Sequence, residues 1–277
     1  MMTCDMKANP RTTGRRRRLV SPILALGCAA ALFTQMHDAR AQGQEGDAKS
    51  ILKATADYVS SQQTIELKFD SDIEIVTPQL EKIQFTNSGE VLLSRPDKLR
   101  AHRVGGYADV ELIFDGKVAS VYGKNLNVYA QFEVPGTVDH LIEALRAGHG
   151  VALPGADFLL SRPYEVLVAD VMEAKHIGRG VVDGVSCEHL AFRNFDTDWQ
   201  LWVDVGDKPI PRKLVITSKT LNGAPQYTFR IKSWKTGFTP ARKAFEFSPP
   251  AGAEQIDAND LIELDELPPE APVGGNP

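Results

Sequence analysis

The chain has 277 residues, 43% hydrophobic and 24% charged, and its 36 acidic residues outnumber 31 basic ones to give a formal net charge of −5. That length suffices for one sizeable core, and the acidic balance disfavours nucleic acid and anionic lipid surfaces as partners. Cys4, Cys28 and Cys187 are its three cysteines.

At the N-terminus, Arg15 to Arg18 precede an uncharged, mostly apolar run from Leu19 to Phe33, and Ala39-Arg40-Ala41 offers a small-x-small cleavage site. This pattern predicts a signal peptide over residues 1–41. Broken by Pro22 and Gly27, the run is shorter than the roughly 20 apolar residues a spanning helix needs. The residues after Cys28 continue the apolar run, which argues against lipidation there, and the arginines leave Sec and twin-arginine export both open. Cleavage leaves 24 of the 31 basic and 34 of the 36 acidic residues, a net charge of about −10. It also leaves Cys187 as the sole cysteine, so an intrachain disulfide is excluded and stability must come from packing and sheet hydrogen bonds.

From Asp47 to Val59, Ile51, Leu52, Thr55, Tyr58 and Val59 recur at helical spacing, which predicts one amphipathic helix. Beyond it the hydrophobic period falls to two. Asp115-Gly116, Asp183-Gly184 and Asn222-Gly223 each separate two apolar runs, and such pairs supply the positive φ that tight hairpin turns require. Leu126, Val128, Ala130, Phe132 and Val134 alternate with polar residues, and so do Trp199, Leu201, Val203 and Val205, so one face of the sheet is apolar. A second helix is predicted from Thr137 to Arg146 and a short third one over Pro154 to Leu160. After Pro249 the chain turns rich in Pro, Asp and Glu, a composition expected of a loose or disordered tail over residues 251–277. The domain proper is expected over residues 42–250. Three helical segments are little cover for the apolar face of about ten strands, and the shortfall predicts either a ligand cavity or an interior that side chains fill.

No catalytic or metal-binding constellation stands out. His102, His140, His149, His176 and His189 lack metal-ligand spacing, and there is no Gly-x-Ser-x-Gly elbow. Cys187 and His189 share a strand face, yet two such residues read more simply as a buried thiol beside a satisfied core histidine. Gly178-Arg179-Gly180 lacks the following helix of a phosphate loop, and Glu263, Asp265 and Glu266 fall in the tail, where carboxylates are solvated. The chain therefore reads as a binding protein with no cofactor and no metal. Of the aromatics, Tyr122, Tyr129, Phe132, Trp199, Trp202 and Trp234 are candidates to line a cavity or to serve as core.

Two groups of motifs carry a resemblance. Arg95-Pro96-Asp97-Lys98-Leu99-Arg100 followed by Ile113-Phe114-Asp115-Gly116-Lys117-Val118-Ala119-Ser120-Val121-Tyr122 resembles the strand, turn and hairpin signature of the LolA/LolB-like periplasmic lipoprotein carriers. Pro135-Gly136-Thr137-Val138-Asp139, Asp198-Trp199-Gln200-Leu201-Trp202 and Pro209-Ile210-Pro211-Arg212-Lys213 are similar to an uncharacterised "predicted periplasmic protein" family of that superfamily, a domain of unknown function. The resemblance implies a mainly β (α+β) fold, an open antiparallel β-barrel of the LolA/LolB-like half-barrel kind with a helical lid. It implies a periplasmic protein that holds a hydrophobic small molecule or acyl chain, with an envelope protein as partner in the alternative reading as a stress-sensor module, and with peripheral membrane contact open. It further implies that Arg95, of the Arg-Pro motif, tethers the lid. The expected cavity or lid residues are Arg95, Tyr122, Tyr129, Phe132, Leu141, Leu145, Phe158, Leu159 and Trp199.

Overall fold

The computed structural model describes residues 45–264; the expected signal peptide lies outside them. The first described element is helix α1 (residues 45–61), which turns Ala48, Leu52, Thr55, Ala56 and Val59 inward at i, i+4 and i+3 spacing. Its outer side carries Lys49–Glu45 and Lys53–Asp57 ion pairs, each an exposed i, i+4 contact of marginal weight.

Twelve strands follow: β1 (Thr64–Val76), β2 (Lys82–Ser94), β3 (Lys98–Gly105), β4 (Asp109–Phe114), β5 (Val118–Gly123), β6 (Val128–Glu133), β7 (Glu173–Val182), β8 (Val185–Arg193), β9 (Thr197–Asp204), β10 (Pro211–Ser218), β11 (Gln226–Thr236) and the two-residue β12 (Glu254–Gln255). They form one sheet in the order β12-β6-β5-β4-β3-β2-β1-β11-β10-β9-β8-β7. Every pairing is antiparallel except β12 on β6, and the end strands β7 and β12 do not meet, so the barrel is open. Two meanders are joined by the long-range pairing of β1 with β11, where Leu67 faces Trp234 and Ile73 faces Tyr227.

The expected turns are present. Val182 pairs with Val185 across Asp183-Gly184, where φ is 47° and 82°, as a two-residue turn of primed type requires. The Asn222-Gly223 hairpin is wider than expected, because Ser218 N–H bonds to Pro225 O and a second turn closes between Ala224 N–H and Leu221 O.

Between the meanders lies the helical cover: α2 (Val138–Glu143), a π turn (Ala144–Gly148), a 3₁₀ turn (Ala156–Leu159) and α3 (Pro163–Val168). The expected second helix thus changes its hydrogen-bonding pattern halfway. The expected third is a single 3₁₀ turn entered through Gly155 at φ 81°. Helix α3 escaped the sequence pattern, although Pro163 at its first turn is a standard start signal.

The tail is the clearest departure from composition. Glu254 and Gln255 pair with Val128 and Tyr129, and a second 3₁₀ segment (Ala258–Leu264) carries Leu261 into the core at 6% exposure. Backbone pairing and one buried leucine outweigh an acidic, Pro-rich composition there. Residues 265–277 lie outside the described part.

Alternation places Ile65, Leu67, Phe69 and Ser71 of β1 on the concave face, with Val91, Leu93, Leu99, Leu112 and Val121 beside them by register. The buried residues form two clusters. One joins β1 to β6, β11, α2 and Val59; the other joins Leu190, Phe192, Trp199, Leu201 and Leu214 to Ala48, Leu52 and Phe158. Helix α1 spans both. Gly89 is held between strands so tightly that a Cβ there would come within 3 Å of the His102 carbonyl oxygen and the Phe69 ring. Gly89→Ala should therefore cost about 2 kcal/mol, in the range of overpacked cores, read as a lowered midpoint in chemical denaturation.

Candidate functional site

The two core clusters do not meet over the whole concave face. Between them lies a cavity of about 420 Å³, within the range of small-molecule sites. Its floor is the sheet: Leu67, Phe69, Val91, Ala101, Leu112, Leu214 and Phe229 contribute, with Phe69 stacked on Phe229 at 4.6 Å between ring centres. Its roof is Ile142, Leu145, the segment from Gly150 to Ala156, Phe158 and Leu159; Val59 of α1 and Leu261 close the sides. The lining is apolar apart from a few groups. Arg103 and Tyr227 sit towards the strand ends, and Trp234 places a buried indole N–H in the wall without a hydrogen-bond acceptor. His102 and Lys213 touch the cavity at their strands, while register turns their side chains to the convex face with Tyr122 and Trp202.

Most of the roof lacks regular backbone hydrogen bonds, so side chains hold it. Arg146 donates from Nη1 to Asp157 Oδ1 at 2.6 Å and from Nη2 to the Leu153 carbonyl at 2.9 Å. The Asp139 carboxylate accepts from Ser161 Oγ at 2.6 Å and from Ser161 N–H at 3.0 Å. Arg95 joins three elements: Nη1 donates to the Leu159 carbonyl at 2.8 Å, and Nε to the Gln62 carbonyl, just past α1, at 3.2 Å. Its Nη2 is buried without a partner. Burial pulls the Arg95 guanidinium below its ordinary range, and Asp139 opposes this.

Of the residues singled out from sequence, Leu145, Phe158 and Leu159 line the cavity. Leu141 belongs to α2 and is fully buried in the first cluster. Phe132 is on the concave face but is covered by His149, 4.4 Å away between ring centres. Trp199 also faces inward, yet it is packed onto Phe192 at 3.9 Å within the second cluster, away from the cavity. Tyr122 and Tyr129 are corrections. They pair with each other across β5 and β6 on the convex face, 6.3 and 5.6 Å from Phe247 between ring centres. Their places follow from parity, since Tyr129 alternates with Val128 and Ala130. The floor residues Phe69 and Phe229 were not singled out, although Ile65-Glu66-Leu67-Lys68-Phe69 alternates as cleanly as the strands that were.

The groups that would suggest catalysis are otherwise engaged. Cys187 is fully buried, and burial together with Asp204 pushes its thiol upward. His189 bonds to Gln200 at 2.9 Å and stacks on Trp202 at 4.1 Å. A second hollow of about 560 Å³ beside α1 is edged by Asp57, Glu188 and Asp204. These carboxylates are paired with Lys53, with His176 and Arg179, and with Arg212 respectively. Among the described residues no group of three or more His, Cys, Asp or Glu is placed to hold a metal ion.

Comparison with known proteins gives one match to a family model, described as "Predicted periplasmic protein (DUF2092)", over residues 48–259. No curated protein matches. Similar solved structures include an uncharacterized conserved protein from Thermus thermophilus (9% identity, 76% of this chain and 99% of that one, TM-score 0.46). They also include the MucA/MucB complex of Pseudomonas aeruginosa (16% identity, 73% of this chain and 61% of that one, TM-score 0.43). A LolA superfamily protein, NE2245 from Nitrosomonas europaea, is similar at 12% identity over 72% of this chain and 97% of that one, with a TM-score of 0.35.

Proposed function

The chain belongs to the DUF2092 family of predicted periplasmic proteins, and from that premise we propose that it is a binding protein that holds an acyl chain or similar hydrophobic molecule beneath its helical cover, without catalysis. The observation that carries this reading is the apolar cavity of about 420 Å³ between two otherwise well-packed clusters. Packed interiors rarely leave voids much larger than a water molecule. A space of this size, walled by leucine, valine and phenylalanine, is unfavourable to water and suited to methylene groups, each worth about 0.8 kcal/mol on burial.

The roof supports the same reading. It is clamped by a few polar contacts and not by a continuous helix, which is the kind of element that opens at modest cost. Titrating the purified protein with a fluorescent fatty-acyl probe should give saturable binding that unlabelled fatty acid displaces. A signal that neither saturates nor is displaced would remove the ligand from the account.

A further inference from the structure

Antiparallel connectivity sends alternate turns to the same end of the sheet. The β1–β2, β3–β4, β5–β6, β8–β9 and β10–β11 turns, and the start of β7, all lie at one end, as the registers of the successive pairs show. Each of these positions presents a large apolar side chain to solvent: Leu80 (67% exposed), Tyr107 (54%), Leu126 (63%), Phe195 (85%), Leu221 (51%) and Met172 (68%). At the opposite end, among the described residues, only Val205 in its turn and Val181 just inside β7 are so exposed. Isolated exposed leucines need no explanation, but one at every turn along a single rim does.

We propose that this rim is a membrane-docking edge, whose apolar tips dip into the interfacial region of a lipid bilayer. Strands are about 4.8 Å apart, so tips on alternate hairpins stand roughly 10 Å from one another. They form a row of separate points and not the contiguous apolar patch with a polar border that a protein interface presents. A fluid surface accommodates such a row, because each tip buries its own apolar area independently. Three of the six tips have uncharged neighbours that fit a polar headgroup layer: Leu126 lies between Asn125 and Asn127, Tyr107 between Gly106 and Ala108, and Leu221 between Thr220 and Asn222, while Leu80, Met172 and Phe195 are each followed by an acidic residue, Glu81, Glu173 and Asp196. No basic cluster accompanies them, so an uncharged, zwitterionic surface is the partner.

The cavity reaches towards the same end. Val110 and Tyr227, which line it, are each the second residue of their strands, and Arg103 lies close to the end of β3. The docking reading itself rests on the rim and is tested without any ligand.

The test is flotation of the purified protein with phosphatidylcholine vesicles. The protein should rise with the vesicles, and the Tyr107→Ser/Leu126→Ser/Leu221→Ser variant should bind at least tenfold more weakly with an unchanged Tm. Each single change should weaken binding about twofold or more, which gives a readout if the triple variant folds poorly. A Val181→Ser/Val205→Ser variant, altered at exposed apolar residues away from the rim, should float like the unaltered protein. The proposal is overturned if the unaltered protein stays unbound, or if this control weakens flotation as much as the rim variant. It is equally overturned if the rim changes spare flotation and abolish capture of a protein partner instead.

Discussion

Replacing Ala101 with tryptophan should weaken acyl-probe binding at least about tenfold, a loss of about 1.4 kcal/mol, while leaving Tm unchanged or slightly raised. Ala101 sits on β3 in the middle of the cavity floor, facing the same side as Val91 and Leu112. An indole added there meets space, not packed atoms, and buries some 150–250 Å² of surface of its own. If the interior were solid at this point, the same substitution would overpack it and cost about 1 to 3 kcal/mol. The two outcomes differ in sign. Thermal unfolding and probe titration of one variant therefore report both whether the space exists and whether a ligand uses it.

Arg95→Ala should lower stability by about 2 to 3 kcal/mol, since it removes two hydrogen bonds from a charged donor and leaves the Leu159 and Gln62 carbonyls to find other partners. For a domain of this size that is about 4 to 12 °C in Tm. The same change should speed probe release severalfold, because Leu159 is part of the roof and Arg95 is what fastens it to the end of α1. Arg95→Lys should not restore the slow release. A lysine places one point charge where the guanidinium fork spans two carbonyls on different elements. Unchanged release with lowered Tm would reduce Arg95 to a structural role.

Much of this architecture is written in local pattern. The alternation of Leu126 to Val134 and of Trp199 to Val205, the helical spacing of α1 and the Asp-Gly turns each specify an element through its own residues, and the motifs around Thr137, Asp198-Trp199 and Pro211 pointed to the family whose model matches the chain. The antiparallel meander was legible for the same reason, whereas the openness of the sheet was implied only by the resemblance. What was not legible depends on partners remote in sequence. Leu261 is buried only because β12 pairs with β6, more than a hundred residues earlier, and nothing in an acidic segment announces that contact. The α2 pattern runs on to Gly148, while the structure relaxes to a π turn there.

The candidate site shows the same division. Leu145, Phe158 and Leu159 border the cavity because they lie on the short apolar segments that cross the concave face of the sheet. Tyr122 and Tyr129 were misplaced because aromatic character outweighed parity, although one step along β6 decides which face a side chain takes. Phe132 and Trp199 have the right parity, and only the positions of His149 and Phe192 determine that they pack as core. Parity is a local property and cavity membership is not, since the cavity exists where two clusters fail to join.

The proposition beneath all of this is that a guest molecule fills the space between the clusters in the periplasm. Native mass spectrometry of the protein, released gently from the periplasm and never exposed to detergent, tests it most directly. The expected result is an added mass that disappears on organic extraction and reappears in the extract as an acyl-bearing compound, with none carried by Ala101→Trp. Protein of bare polypeptide mass, with no added compound on either form, would contradict it.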